Sequence, residues 1–415
     1  MFNIFNKNKR VYLDNAGSTP VSSVSSSALI EALSFYGNPS GIHNEGREAG
    51  QLLDKARALC AKVLNAHSYE IYFAGTGTES CNLAITGTYY GFKKNNKDKV
   101  PHIITTNIEH PAVLEPIRRL EGKGKVKVTY IKVNEGGIIR ALDIREALTE
   151  DTVLVSVMYA NNEIGTLQPV KEIGRIIEEW KQENNKTYTA YPYFHVDACQ
   201  AANYCNLDVV RLRAHLMTVN SSKVYGPKGV ALLYKREGII MEPIVYGGGQ
   251  ERVLRSGTES VAQAYAFGVA LNEAENMKEK ESARLRELRD FCKEELTKEI
   301  TNITFYGAFD LYQTHDKKER KVKTELRLPN NINCRVSGIS SEEMILRLDA
   351  LGFAVSHKSA CASQETDGSY VVMALGANEE EAMENIRITM GRQTSKQDIQ
   401  RLVEAMKTIS MKYAK

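Results

Sequence analysis

A chain of 415 residues, 42% hydrophobic and 25% charged, has the composition of an ordinary globular protein and is too long for one compact core of usual size, so we expect one large domain and a smaller one. Lysine plus arginine exceed aspartate plus glutamate by only three, 54 against 51. The net charge therefore gives no reason to expect a surface that binds nucleic acid or a membrane. The start, MFNIFNKNKR, lacks the apolar stretch of a signal peptide. The longest apolar run, near TVLVSVMYA, is far too short to span a membrane. We therefore expect a cytoplasmic protein that contacts neither nucleic acid nor membrane directly.

Seven short β-rich runs alternate with helical stretches between about residues 69 and 235. In chain order they are EIYFAG, HIITTN, KVTYIKV, TVLVSVMY, YFHVD, LMTVN and GVALLYK. This alternation is typical of an α/β fold around a largely parallel sheet. The helix after the fourth run illustrates the expected packing, because its apolar residues recur at the three-and-four spacing that lays one stripe on a sheet: Val170, Ile173, Ile176, Ile177 and Trp180.

The C-terminal part of the chain indicates a second unit. The stretch from about 260 to 299 is rich in Ala, Glu, Lys, Arg and Leu and has no proline, which predicts helix with at most one or two breaks. A strand-like segment, ELRLPNNINCRV, a helix around SSEEMILRLDALG and a closing helix beginning near Ser395 follow it. We therefore predict a large α/β domain at 20–265 and a smaller α+β domain formed by 1–19 and 266–415.

A glycine-rich turn occurs in IYFAGTGTESCNLAI, between a predicted strand and a predicted helix with Thr78 and Glu79 in its first turn. Such a turn points backbone N–H groups and the positive helix end at a phosphate. A glycine pair is a weak signal by itself, and an ordinary tight turn is the alternative. The spacing is not GxGxxG and no GxxxxGK[ST] occurs, so dinucleotide and P-loop binding are disfavoured, and a smaller phosphate ligand stays open.

The run FHVDACQ ends a predicted strand with Asp197, and Gln200 follows three residues later. A carboxylate at the carboxyl end of a parallel strand lies where such sheets bind their ligands. His195, Cys199 and Cys205 also offer metal-ligating atoms. Alternation along the strand puts His195 and Asp197 on one face and leaves the cysteines beyond the strand, so a metal site is disfavoured.

Lys223, in NSSKVYGPKG, follows a predicted strand and precedes a glycine-proline turn. A lysine that forms a Schiff base with a carbonyl cofactor must be desolvated and fixed, and a short loop between strands provides both conditions. An exposed loop lysine is the simpler interpretation from spacing alone. Lys228, next to Gly229, is the competing candidate.

Eleven motifs occur in one colinear order over nearly the whole chain, from about Tyr12 to Ala405. They are LDNAGSTP, GNPSGIHNEGREA, GTGTES, IEHPAVLEP, NNEIGTLQP, HVDACQ, SKVYGPKG, GGGQERVLRSGTES, SACAS, ALG and IRITMGR. This series resembles the cysteine desulfurases, within the class V aminotransferase group of fold type I enzymes that use pyridoxal 5'-phosphate (PLP). The resemblance implies a mostly parallel seven-stranded sheet between helices, and a smaller domain that carries a catalytic cysteine loop.

The resemblance also implies how PLP is held. Lys223 matches the lysine that forms the Schiff base, Asp197 the carboxylate paired with the pyridinium nitrogen, and His110 the histidine that stacks on the ring and relays protons. The other implied contacts are Gln200 and Asn162 near the ring hydroxyl, Gly77, Thr78, Asn220 and Ser222 at the phosphate, and Thr258, which reaches the phosphate from the neighbouring subunit. The site therefore implies a homodimer.

The substrate contacts and the nucleophile follow from the same resemblance. Arg387 in IRITMGR matches the arginine that clamps the substrate carboxylate, next to Asn162. Arg252 is expected near the mouth of the site, with a surface or interface salt bridge as the alternative. Cys361 in SACAS matches the nucleophilic cysteine, and its polar, glycine-tipped surroundings disfavour a buried structural cysteine. None of the other six cysteines is expected to face the cofactor.

Three positions depart from the family pattern. Ser222 stands where histidine is usual and Asn220 where serine is common, and both family residues face the phosphate. We expect these changes to affect cofactor affinity more than chemistry. Gly17, in DNAGST, replaces a usual alanine and is expected to matter little.

These residues predict a PLP-dependent cysteine desulfurase that converts L-cysteine to L-alanine and transfers the sulfur to Cys361 as a persulfide. The expected partner is a sulfur acceptor, either an iron–sulfur scaffold or a tRNA-thiolation enzyme. The alternatives are a selenocysteine lyase or related class V aminotransferase or lyase, and a catalytically idle relative that binds a partner. A transaminase needs no cysteine at position 361, and an idle relative has no reason to keep the whole set: Lys223, Asp197, His110, Arg387 and Cys361.

Overall fold

The computed structural model describes residues 10–309, 312–315, 321–357 and 368–412, with backbone alone at 312–315 and 321–324. The described strands are β1 (Val11–Tyr12), β2 (Ile71–Ala74), β3 (His102–Thr106), β4 (Lys127–Ile131), β5 (Thr152–Met158), β6 (Tyr193–Asp197), β7 (Leu216–Asn220), β8 (Ala231–Lys235), β9 (Ile303–Phe305), β10 (Tyr312–His315), β11 (Lys321–Thr324), β12 (Asn331–Val336), β13 (Phe353–Ala354) and β14 (Asn385–Thr389).

The described helices are α1 (Ser23–Ala32), α2 (Asn44–Leu64), α3 (Gly77–Asn95), α4 (Pro111–Gly122), α5 (Ala141–Ala147), α6 (Val170–Glu183), α7 (Val209–Leu212), α8 (Val261–Glu299), α9 (Ser341–Ala350), α10 (Tyr370–Ala374), α11 (Glu379–Met383) and α12 (Lys396–Ser410). Two short 3₁₀ turns, Ser68–Glu70 and Ser221–Lys223, complete the regular structure.

The central sheet has seven strands in the order β2-β8-β7-β6-β5-β3-β4. Only β8 runs antiparallel to its neighbours, and the other pairs in the sheet are parallel. All residues of β3, β5 and β6 are buried, as expected for strands covered on both faces. The predicted α/β fold with a mostly parallel seven-stranded sheet is confirmed.

Helices cover both faces of this sheet, and alternate side chains along each strand pack into different cores. Phe194 packs with apolar residues of α1, α2, α6 and α8 on one face, whereas its neighbour Tyr193 packs with α3 and α4 on the other. The predicted stripe of α6 is buried from Val170 to Trp180. Because helices connect the parallel strands along the two faces, the carboxyl ends of these strands all lie at the same edge of the sheet.

A second core lies in the C-terminal part of the chain. The antiparallel sheet β14-β12-β9 packs with α9 and α12, and Val11 and Leu13 from the N-terminal segment join it. The 39-residue helix α8 belongs to both cores, through Phe267 near its start and Cys292 near its end. This shared helix supports our proposal that the chain divides within α8, with residues 1–19 in the smaller unit.

No helix in the described parts of the chain combines the length and the apolar composition needed to cross a membrane.

Candidate active site

A cavity of about 160 Å³ lies at the carboxyl ends of the parallel strands. Nine of the predicted site residues line it: Gly77, Thr78, His110, Asn162, Asp197, Gln200, Asn220, Lys223 and Arg387. Its wall also includes Ala16, Gly17, Cys81, Ala112, Met158, Ala160 and Cys199. A larger depression of about 560 Å³ along α8 contains none of the predicted residues that the structure describes. The smaller cavity is therefore the candidate site.

Asp197 is the last residue of β6 and is 8% exposed. One carboxylate oxygen, Oδ1, accepts the backbone N–H of Cys199 at 3.0 Å, and the other, Oδ2, lies 3.8 Å from the thiol sulfur of Cys81. Each oxygen keeps a lone pair for another donor. A cationic N–H group in the cavity therefore has an anionic acceptor at the end of the central strand.

Lys223 lies in the 3₁₀ turn that follows β7. Its ammonium donates to two backbone carbonyl oxygens, those of Ala16 at 2.8 Å and Gly17 at 2.5 Å. Gln200 donates its amide N–H to the same Ala16 oxygen at 2.9 Å. The competing candidate, Lys228, is exposed and does not line the cavity. The geometry therefore favours Lys223 as the lysine of the site.

The glycine-rich turn leads directly into α3, which begins at Gly77. Thr76 caps this helix by accepting the N–H of Glu79 at 3.1 Å, so the positive helix end lies at the cavity. A Cβ on Gly77 would lie 3.3 Å from Cβ of Asn220 and 3.3 Å from the sulfur of Cys199. Glycine thus allows the helix start to approach the end of β7 closely, and this leaves N–H groups facing the cavity.

His110 caps α4, because its Nδ1 accepts the backbone N–H of Ala112 at 3.0 Å. This bond places the ring proton of neutral imidazole on Nε2. Burial lowers the pKa of His110, the carboxylate of Asp197 opposes this effect, and the cations of Lys223 and Arg387 add to it. The histidine is therefore neutral at neutral pH and presents a donor at Nε2.

Arg387 lies on β14 of the antiparallel sheet β14-β12-β9 and is 1% exposed. Its guanidinium donates to the backbone oxygen of Asn162 at 3.0 Å and to Oδ1 of Asp14 at 2.8 Å. Among the described residues, neither Nε of Arg387 nor Oδ1 of Asn162 has a hydrogen-bond partner, although both are buried. Two buried polar atoms at one cavity indicate that a polar ligand completes the site.

Comparison with known proteins agrees with this geometry. A model of the class-V aminotransferase family matches residues 11–402. The cysteine desulfurase IscS of Dictyoglomus turgidum is 38% identical over 410 residues, which are 97% of this chain and 96% of the relative. The cysteine desulfurase IscS of Methanosarcina thermophila is 37% identical over 411 residues, 99% of this chain and 94% of the relative.

The chain belongs to the cysteine desulfurases of the class-V aminotransferase family.

Solved structures support the same family. A NifS-like protein superposes on this desulfurase with a TM-score of 0.84 at 30% identity, covering 96% of this chain and 99% of the other. SspA in complex with cysteine has a TM-score of 0.72 at 29% identity and covers 92% of this chain and 98% of the other. The predicted family and enzyme class are thus confirmed, while the roles of single residues stay predictions.

Three predicted residues of the desulfurase do not line the cavity of this protomer. Ser222 is half-buried, and its backbone oxygen accepts the N–H of Thr19 at 2.9 Å. Thr258 and Arg252 are exposed, and the guanidinium of Arg252 stacks 4.0 Å from the ring centre of Tyr72. Cys361 lies outside the described residues.

Two of the cavity residues that the sequence interpretation missed are cysteines. Cys81 and Cys199 were expected to lie away from the cofactor, yet both line the cavity beside Asp197. A signal was present in the sequence, because Cys199 follows Asp197 by two residues and Cys81 lies four residues after Gly77, one helical turn along α3. His195, for which a metal-ligating role was disfavoured, contacts Ser156 and Thr218 inside the sheet, at 2.8 and 3.0 Å.

Proposed function

We propose that the protein uses PLP to convert L-cysteine to L-alanine and receives the sulfur on Cys361 as a persulfide. One observation carries this proposal: a lysine, a strand-end carboxylate, a neutral histidine and a buried arginine line the same cavity, as Lys223, Asp197, His110 and Arg387. PLP chemistry has a use for each of these four groups.

The cavity residues fit PLP on each side. Asp197 offers a carboxylate oxygen to a protonated ring nitrogen, and the start of α3 offers N–H groups to a phosphate. Lys223 supplies an amine, and Oδ1 of Asn162 is a buried acceptor without a partner among the described residues. When bound, PLP supplies the electron sink that makes the substrate sulfur electrophilic.

The side chains then have distinct tasks. Arg387 binds the substrate carboxylate through its unpaired Nε–H, and Lys223 moves the proton of the α-carbon because its amine is held at the cavity wall. Neutral His110 donates from Nε2; to act as a base it would have to release its bond to Ala112. Cys361, as a thiolate, attacks the substrate sulfur, so that a sulfur–sulfur bond forms and the carbon–sulfur bond breaks with its electron pair left on the β-carbon. That carbon takes up a proton, and alanine leaves.

We further propose a cytoplasmic homodimer that passes sulfur to an iron–sulfur scaffold or a tRNA-thiolation enzyme. The exposure of Thr258 supports the dimer, because its side chain is then available to the partner's cavity. Its predicted contact to the phosphate is therefore proposed across the subunit interface.

The experiment that tests the proposal uses the visible spectrum of the purified protein. We expect a yellow protein that yields alanine and sulfide from cysteine, and a borohydride-trapped cofactor adduct that Lys223→Ala abolishes. Cys361→Ser should still change the cofactor absorbance on addition of cysteine, because the binding residues are intact, but it should form no persulfide and almost no alanine. Alanine release by Cys361→Ser near the wild-type rate would instead favour a lyase or transaminase.

A further inference from the structure

The arginine assigned to the substrate carboxylate already has a carboxylate partner. Arg387 is 1% exposed, and Oδ1 of Asp14 lies 2.8 Å from one of its terminal nitrogens. Asp14 itself is partly buried, with 24% of its side chain exposed. A pair this close in a partly buried site is screened weakly by water. The positive charge of Arg387 is therefore largely neutralised before any ligand enters.

The backbone of the same segment is fixed around Asp14. The N–H groups of Gly17 and Ser18 donate to the backbone oxygen of Asp14 at 3.1 and 3.2 Å. The hydroxyl oxygen of Tyr12 lies 2.7 Å from the backbone oxygen of Ser18 and 3.0 Å from that of Asp14, so its one proton bridges the two acceptors. This tight turn holds residue 17 directly against the side chain of residue 14.

Glycine at position 17 is what leaves room for the carboxylate. A Cβ there would lie 2.4 Å from Oδ2 of Asp14 and 2.9 Å from both Cγ and Oδ1, closer than real Cβ contacts. Because the whole carboxylate group is affected, it would have to turn away, and the bond from Oδ1 to Arg387 would be lost. The φ angle of Gly17 is not in the left-handed region, so the backbone itself accepts alanine. Steric room is thus the property that glycine contributes here, contrary to the expectation that this position matters little.

We propose that Asp14 is an internal counterion of Arg387 that weakens the binding of amino-acid carboxylates, and that Gly17 determines whether this counterion is in place. The inference rests on the proposed function, in which Arg387 binds the substrate carboxylate. A buried guanidinium that already has an anionic partner gains less from a second one, and the two carboxylates repel each other. L-cysteine and its product L-alanine carry the same carboxylate, so the counterion also promotes release of the product.

The test is a double-mutant cycle on the holoenzyme, with L-alanine as ligand and the cofactor absorbance as the binding signal. Asp14→Asn removes the charge, and Gly17→Ala displaces the carboxylate. We expect each variant to lower the Kd for L-alanine by roughly three- to tenfold, and the double variant to bind no more tightly than either, since both changes remove one interaction. Ethylamine, which is L-alanine without its carboxylate, should bind all four proteins alike.

Two control variants match the changes. Asp143→Asn removes a carboxylate with the same 24% side-chain exposure from its partner Arg140, and Gly122→Ala adds a Cβ where nothing lies within 4 Å. Neither should change the Kd.

An unchanged or higher Kd for L-alanine in Asp14→Asn would overturn the inference, and so would an equal gain for ethylamine. Because Asp14→Asn adds no heavy atom, it still tests the inference if Gly17→Ala fails to fold. Absence of L-alanine binding to the wild type would overturn the proposed function as well.

Discussion

Two cysteine side chains lie against the carboxylate that is assigned to the cofactor. Burial raises the pKa of the Cys81 and Cys199 thiols well above the ordinary value, and the negative charge of Asp197 raises both further. Both groups are therefore protonated at neutral pH and are poor nucleophiles. Cys81 can instead act as a weak S–H donor to Oδ2 of Asp197. The nucleophile of the proposed reaction thus remains Cys361.

We predict that Cys81→Ala weakens cofactor retention, because Asp197 loses a donor that orients its carboxylate. A single hydrogen bond contributes about 0.5–1.5 kcal/mol, so PLP should dissociate roughly two- to tenfold faster. The rate of PLP loss on dialysis measures this effect. Cys60→Ala is the matched control, since Cys60 is fully buried in α2 and loses the same volume away from the cavity. Equal rates in the two variants would show that Cys81 only fills space.

At the scale of single elements, α6 shows both the strength and the limit of periodicity. Its apolar stripe packs on the sheet as predicted, but Lys181, next to the stripe, is also buried, at 2% exposure. Its ammonium lies 2.9 Å from the backbone oxygen of Tyr188 and 3.0 Å from Nε2 of His215. Burial, together with the charges of Arg236 and Lys186, lowers the pKa of Lys181 to about 7.

This buried lysine predicts a pH dependence of stability. Between about pH 7 and pH 10.4, the ordinary lysine pKa, the unfolded chain binds a proton that the folded protein does not, so stability rises with pH across this window. Below about pH 7 Lys181 is charged in both states, and the free-energy cost of burying its charged ammonium is fully present. Lys181→Met should flatten this slope, which shows as a smaller rise of Tm between pH 7 and 9.5. Lys171→Met, an exposed lysine of the same helix, should keep the wild-type slope; an identical slope in Lys181→Met would contradict the assignment.

At the scale of the whole molecule, the cavity lies where the central sheet meets the second core. Asp197 ends β6 and Lys223 follows β7 of the central sheet, whereas Arg387 lies on β14 of the second core and bonds Asp14. Helix α8 packs in both cores and fixes their relation. Large apolar side chains are strongly exposed near α1, at Ile30, Leu33, Tyr36 and Ile42. Several exposed apolar side chains close together in the chain favour a subunit interface here, in line with the proposed dimer.

We predict that the protein sediments as a dimer and that Ile42→Lys raises the dimer dissociation constant at least about tenfold, because burying an unpaired ammonium is costly. Ile42 is 90% exposed in the single chain. The same variant should lose PLP faster on dilution, since Thr258 is proposed to reach the partner's cofactor. Leu142→Lys, on α5 and 58% exposed, is the control. Dimers of unchanged affinity in Ile42→Lys would place the interface elsewhere.

Sequence alone determined the parts of this protein that depend on neighbours along the chain. Alternating apolar runs specified the strands of the sheet, and three-and-four spacing specified the buried stripe of α6, because both follow local backbone geometry. The same holds for the position of Asp197 at a strand end and of Gly77 at a helix start. Motif order then led from these elements to the family.

Only the tertiary structure decided which distant side chains meet. Asp14 and Arg387 are 373 residues apart, and Cys81 and Asp197 are 116 apart, so no local pattern relates them. Lys181 is buried because α6 packs beside His215, which its own periodicity does not encode. Contacts of this kind depend on how the sheet, α8 and the second core fit together, and electrostatic interactions follow distance in space rather than along the chain.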